Sequence, residues 1–465
     1  MHKEHRTPLP MSMIRISWRG LLLAAFLGAG ACARELPGEA PPARSFYYPQ
    51  DVAATPQGRY VYVLSSNFDQ RFNAGWVSVV DVDAVLDAVD AERENPRAAV
   101  VHQLRVLSLG GELALAPDGK RGLITHRGVR RAQPLVTVFS ASDAGSKLRC
   151  GDPNDNTGLN TADRRTDCDR EHLLELDVDL ERNVANPFSA VAWHWGGDAD
   201  VPVAAVGMLG EPVMVVLGLA EPATQLGVLP VGQGGISSIA VHPDASGRYL
   251  AALSHLGGAQ PQPSSIYSIE LGVRAGEPDI AASRVARDAL HQQTGGRDLA
   301  DIAFAPDGQH AYVTNRYGDA NDPQPGGVVA TRSAFADVER SETQARARPV
   351  YEAVGSQPIA VEPAQLAYVP RPQGDLLAVA SFTDDTVDVL AVEGGQLQPV
   401  ARIDGVGAGP FAVEHVSRAG RQLLWVSNFI DHSLAVVDVS SESPGAFSVI
   451  ARLTNPDLPP GDRIR

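Results

Sequence analysis

The chain has 465 residues, 44% of them hydrophobic and 20% charged, with 55 acidic against 39 basic side chains and a formal net charge of −16. That length can bury a substantial core, and the acidic balance argues against nucleic acid or anionic lipid head groups as partners. Its three cysteines include no CxxCH sequence, which excludes covalently attached haem.

Residues 1–31 read as an export signal rather than as part of the fold. Arg15 and Arg19 precede an apolar stretch, Leu21 to Ala31, that is too short to span a bilayer. Residues 1–10 are polar and fit no such signal, so Met11 and Met13 stand as alternative starts. Ala29-Gly30-Ala31-Cys32 resembles the bacterial lipobox, in which the cysteine is acylated and becomes the new N-terminus, although leucine is commoner where Ala29 stands. A plain secretory signal cut after a small residue is the alternative. With Cys32 acylated, residues 32–47 become a flexible tether rich in proline and charge, and the lipid bilayer becomes a partner. Ala33 in place of aspartate resembles lipoproteins sent to the outer membrane, facing the periplasm or the cell surface.

From residue 48 to 455 one phrase returns seven times: a short apolar run, a turn such as Pro117-Asp118-Gly119, a second apolar run, a polar loop and a third run. The second runs are RYVYVLSSN from Arg59, RGLITH from Arg121, VPVAAVGM from Val201, RYLAALSH from Arg248, HAYVTN from His310, DLLAVASF from Asp375 and RQLLWVSN from Arg421. Their length, β-branched content and bounding Gly, Pro, Asn and Asp mark strands buried on both faces. Further runs lie between units, among them VVHQLRVLSL from Val100, LGVLPVG from Leu226, PVYEAVG from Pro349 and FSVIARL from Phe447. No amphipathic helical stretch competes with them. Four short strands per unit cannot bury their faces alone and must stack, so the pattern predicts an all-β, WD40-like, seven-bladed β-propeller of four-stranded antiparallel blades. Residues 456–465 form a C-terminal tail.

Tyr312-Val313-Thr314-Asn315, within AFAPDGQHAYVTN, is the tetrapeptide that names the YVTN repeat, and LSSNFDQRFNAGWVSVVDV and LWVSNFIDHSLAVVDV resemble the same consensus. The resemblance covers most of Asp51 to Asn455 and is weakest in the third unit, where no PDG turn survives. It implies a propeller related to bacterial surface and periplasmic repeat proteins, with lactonases among its structural relatives. It does not imply one activity, since propellers host many.

One insertion, residues 141–186, departs from the repeat and holds Cys150 and Cys168, for which an exported protein makes a disulfide the default. Within it Asp152, Asn154, Asn156, Asn160 and Asp163 fall at positions 1, 3, 5, 9 and 12 of an EF-hand-like calcium loop. Thr157 stands where the sharp-turn glycine belongs, and a solvated, Asx-rich loop accounts for the same residues without a metal. No cofactor is required by anything else in the chain.

The second run of each unit ends at Asn67, His126, Met208, His255, Asn315, Phe382 or Asn428, positions that a propeller arranges around one channel mouth. The same loops carry Arg71, Arg127, Arg316, Asp384, Asp431 and His432. The asparagines are explained as caps of the hairpin turns, and the histidines either as solvated side chains or as ligands and acid–base groups. Junction glycines such as Gly232, Gly234 and Gly235 let the chain turn or let backbone amides approach a ligand.

No GxSxG, HExxH or P-loop sequence is present. Three functions follow as expectations. The first is a membrane-tethered binding or scaffolding module with a protein or glycan partner and no catalysis. The second is a lactonase-like hydrolase using His126, His255, Arg71 and Arg316 at the mouth, and the third is a structural coat protein.

Overall fold

A computed structural model describes residues 39–455, apart from 94, 128–133, 152–166, 169–170, 180–185, 198–200, 233, 245, 255–263, 289–297, 317–325 and 342–343. Seven antiparallel sheets follow one another along the chain. Blade one is β1 (Pro49–Ala54), β2 (Tyr60–Ser65), β3 (Gly75–Asp81) and β4 (Val100–Val106). Blade two is β5 (Gly110–Leu115), β6 (Arg121–His126), β7 (Leu135–Ser142) and β8 (Lys147–Arg149), with β9 (Leu173–Glu175) also on β7. Blade three is β10 (Pro187–His194), β11 (Pro202–Met208), β12 (Val213–Gly218) and β13 (Thr224–Pro230). Blade four is β14 (Ile236–Val241), β15 (Tyr249–Ser254), β16 (Ile266–Arg274) and β17 (Glu277–Asp288). Blade five is β18 (Leu299–Phe304), β19 (His310–Asn315), β20 (Gly327–Ser341) and β21 (Gln344–Pro358). Blade six is β22 (Pro363–Val369), β23 (Leu376–Ser381), β24 (Thr386–Glu393) and β25 (Gln396–Ile403). Blade seven is β26 (Pro410–Arg418), β27 (Arg421–Asn428), β28 (Ser433–Asp438) and β29 (Ser448–Leu453).

First strands are innermost: each touches the first strand of the next blade, and β26 touches β1, so the ring closes as a seven-bladed β-propeller. Because every blade uses consecutive strands, no strand crosses the seam between blades seven and one. Side chains hold that seam instead. Arg418 grips Asp83 through Nε at 2.7 Å and Nη2 at 2.5 Å, Arg421 reaches Asp90 at 2.8 Å, and Asn95 and Thr454 bond to each other three times. Beneath them Trp425, Leu434, Val436 and Leu453 pack with Val61, Val63, Val80 and Leu86 in one apolar cluster. Burying that cluster contributes about 25 cal/mol for each Å² removed from water.

Two local features depart from the sequence reading. A helix, α1 (Val82–Asp90), stands between β3 and β4 where no helix was expected. Asp81 caps it by accepting from the Asp83 and Ala84 amides, and Val82, Val85 and Leu86 face the sheet at helical spacing. The preceding run WVSVVDV flows into Val82 without a turn residue, which hid the change of period. The insertion of blade two is also not all loop, since its outer edge is split into β8 and β9 on either side of the Cys150–Cys168 disulfide.

Among the junction glycines Gly235 is fixed by packing: a Cβ there would run into the backbone carbonyl of Leu209 in the preceding blade's loop. Gly235→Ala is expected to destabilise the protein by about 1–3 kcal/mol, read as a lower urea midpoint with an unchanged slope. An unchanged midpoint would mean that this junction yields without cost.

Candidate functional site: the axial channel and its mouth

Each innermost strand carries an irregularity near its start, between Pro49 and Asp51 in β1, Gly110 and Leu113 in β5, and Leu299 and Ile302 in β18, for example. A bulge turns a backbone N–H out of the ladder, and a buried N–H needs another acceptor. Within the blade a threonine meets it, as Thr125 Oγ1 does for Glu112 N at 2.9 Å and Thr314 Oγ1 for Asp301 N at 2.8 Å. The first strand is also an edge facing the channel, and N–H groups along that free edge are taken by the preceding blade. Asp51 Oδ2 accepts from Leu113 N at 2.7 Å, Glu112 Oε2 from Ala190 N at 2.7 Å, and Asp301 Oδ2 from Leu366 N at 3.0 Å. Across the seam Glu414 Oε1 accepts from Ala54 N at 3.3 Å. Ser238 donates to Asp301 Oδ1 at 2.8 Å, and Gln365 of blade six reaches over blade seven to Asp51 Oδ1 at 3.2 Å. That last bond is possible only because both side chains point to the axis.

The channel wall thus gathers four carboxyl groups in poor contact with water. Burial, reinforced by the charge of neighbouring acids, pushes Asp51 up to about 7 and Glu414 up to about 8 and raises Glu112, while burial alone raises Asp301 against the opposing charge of Arg316. Sequence reasoning missed all four. Aligning the first runs on the proline of the turn exposes three of them: Asp51 precedes Pro56, Glu112 precedes Pro117 and Asp301 precedes Pro306, always by five places, as Gln365 precedes Pro370, whereas Glu414 stands five before Ala419. Alignment on the second runs left that register unread.

At the mouth most of the expected residues serve the scaffold. Asn67 donates to Phe72 O at 2.7 Å and to Ser108 Oγ at 2.8 Å while accepting from Phe72 N, which closes its loop and ties it to the junction behind. Asn428 does the same with Val406 O and Ser433 Oγ. Asn315 is buried at the end of β19 opposite Gly327. Asp384 accepts from Val361 N and Asp385 from Gly409 N, while Asp431 takes Ala408 N, Ser433 Oγ and the Arg452 guanidinium.

Of the two histidines expected as an acid–base pair, only His126 lies among the described residues. His126 is 1% exposed and its Nε2 lies 2.7 Å from Thr137 Oγ1, so its ring turns into blade two rather than toward the mouth. His255 lies outside the described residues, as do Cys32 and the calcium-loop set Asp152, Asn154, Asn156, Asn160 and Asp163. His432 is 2% exposed, and its Nδ1 accepts from Tyr48 N at 3.0 Å beside the Tyr47 ring. Burial pushes it down to about 4, so at neutral pH it is an uncharged clasp on the segment leading into β1. Tyr47 in turn donates to Asp69 at 2.6 Å, and the exposed Arg71 lies over the Phe72 ring. Cys150 and Cys168 are bonded, with Cα atoms 4.6 Å apart.

Two arginines remain at equivalent places in blades two and five, each directly after the second strand. Arg127 donates its backbone N–H to Leu109 O, and its guanidinium lies 5.0 Å over the Phe188 ring. Arg316 donates its backbone N–H to Asp298 O, and its Nη1 is 3.6 Å from Asp298 Oδ2. Among the described residues no carboxylate lies in ion-pair range of Arg127, and no cluster of side chains has the makings of a metal site. The arrangement can hold an anion above an acid-lined shaft.

No protein family matches this chain by its sequence, nor does any curated protein. Solved structures match in shape. Hydrazine synthase of Kuenenia stuttgartiensis aligns with a TM-score of 0.53 and 14% identity over 85% of this chain and 96% of that one. The periplasmic gluconolactonase of Pseudomonas aeruginosa aligns with a TM-score of 0.53 and 16% identity over 87% of this chain and 98% of that one. At such identity the likeness establishes the fold alone, a seven-bladed β-propeller with a lactonase among its structural neighbours.

Proposed function

We propose that this chain is a lipid-anchored, extracytoplasmic propeller of YVTN type that binds an anionic partner or ligand and catalyses nothing. One observation carries the reading. Among the described residues His126, His432, Asp384, Asp385 and Asp431 of the loop face are committed to junction and blade contacts, while Arg127 has no carboxylate in ion-pair range and Arg316 holds Asp298 only at 3.6 Å, which favours this guanidinium pair as ligand-meeting groups. The lipobox around Cys32, the acidic body and the disulfide support export to an oxidising compartment, on the outer membrane and facing the periplasm or surface. A lactonase-like reading draws on the gluconolactonase neighbour, but the burial of His126 against Thr137 removes one of its two histidines.

Palmitate labelling of cells is expected to mark the wild-type chain and not Cys32→Ala. An unlabelled wild type overturns the anchor. Incubation of the purified protein with gluconolactone is expected to give hydrolysis no faster than buffer, and turnover would overturn the non-catalytic reading.

A further inference from the structure

We propose that Arg127 and Arg316 together form a two-armed site for a carboxylate at the mouth of the channel. Blades two and five lie on opposite sides of the ring, and each arginine follows the last residue of its second strand, so the two side chains reach toward one axis from opposed walls. The Arg127 guanidinium carbon lies 5.0 Å from the centre of the Phe188 ring, a contact that uses the face of the cation and leaves its fork of N–H donors for bonding. Arg316 is 28% exposed at the side chain and holds Asp298 through one nitrogen at a distance longer than a direct hydrogen bond.

Two like charges in a half-dry place repel. Arg127 is drawn down from its ordinary range first by burial and then by the neighbouring charge of Arg316. A buried cation without an anion is costly, and the acids nearest along the channel are themselves pushed toward their neutral forms. An incoming anion supplies the missing charge, and the forked donors suit a planar pair of oxygens. A single carboxylate matches the one charge that burial leaves uncompensated, which a phosphate dianion exceeds.

The site rests on the reading of the mouth as a binding surface and not on the membrane anchor, so a failed label at Cys32 and failed ligand binding are separate results. The full-length protein is titrated by calorimetry with gluconate, galacturonate and inorganic phosphate at constant ionic strength. Saturable binding of the carboxylates is expected, weakened about tenfold or more in Arg127→Gln and in Arg316→Gln. Arg127→Lys and Arg316→Lys keep the charge and lose the fork, and serve if a glutamine variant does not fold; they too are expected to bind more weakly. No saturable carboxylate heat, phosphate bound in preference, or affinity unchanged in all four variants would each overturn the proposal.

Discussion

Removing the disulfide with Cys150→Ala and Cys168→Ala is expected to lower the unfolding free energy by about 3 kcal/mol, the chain-entropy value for a closed loop with a sequence separation of 18. The loss should be local in its first effect. β8 and β9 are three residues each and meet β7 at three register pairs apiece, too few to hold an edge unaided. The bond keeps the two pieces near β7, and Asp167, one residue before Cys168, fixes the same segment to blade one through Arg105. Without the bond, amides of 147–149 and 173–175 should exchange faster while those of β23 and β27 stay protected. Exchange unchanged along β7 to β9, with full stability, would show that the Arg105–Asp167 pair alone suffices.

The fold was legible because its signal is repeated. Pro117-Asp118-Gly119 and Pro306-Asp307-Gly308 each mark the same hairpin, and the apolar runs at β2, β6 and β19 stand at the same offset from such turns. Errors in one unit are corrected by the others. α1 escaped because it occurs once and begins inside a valine-rich run. The site was less legible for a different reason. Position around the mouth can be read from the repeat, but orientation cannot: His126 and Arg127 are neighbours in sequence, and one turns onto Thr137 while the other lies over Phe188. The asparagines were readable because Asx capping is local chemistry, visible within five residues, as between Asn67 and Phe72. Asp51 and Leu113 are 62 residues apart, and their bond exists only once the ring has closed.

That ring of bonds makes stability depend on pH in a direction opposite to that of most carboxylates. Asp51 and Glu414 leave ordinary values of 3.8 and 4.5 for about 7 and about 8 in the folded protein, chiefly by burial. Across that interval the folded chain holds protons that the unfolded chain has released, so stability falls as pH rises. The contribution is fully present below about 4 and is lost as pH passes through 7 and 8. His242, His415 and His432 act the other way: burial lowers all three, so the unfolded chain binds the extra protons, and their effect is confined to pH below about 6.5.

Above that value the histidines are neutral in both states, and the slope belongs to the channel. From pH about 6.5 to about 9 the wild-type unfolding free energy is expected to drop by on the order of 3 kcal/mol, the sum of the two titrations. Asp51→Asn with Glu414→Gln keeps an oxygen for the Leu113 and Ala54 amides while removing the ionisation. With Glu112 and Asp301 still buried and ionisable, that variant should slope less steeply over the same range and should equal or exceed the wild type at its alkaline end. A wild-type stability that climbs with pH there, or a double variant with the wild-type slope, would mean that water enters the channel freely and the four carboxyl groups ionise as they do on any surface.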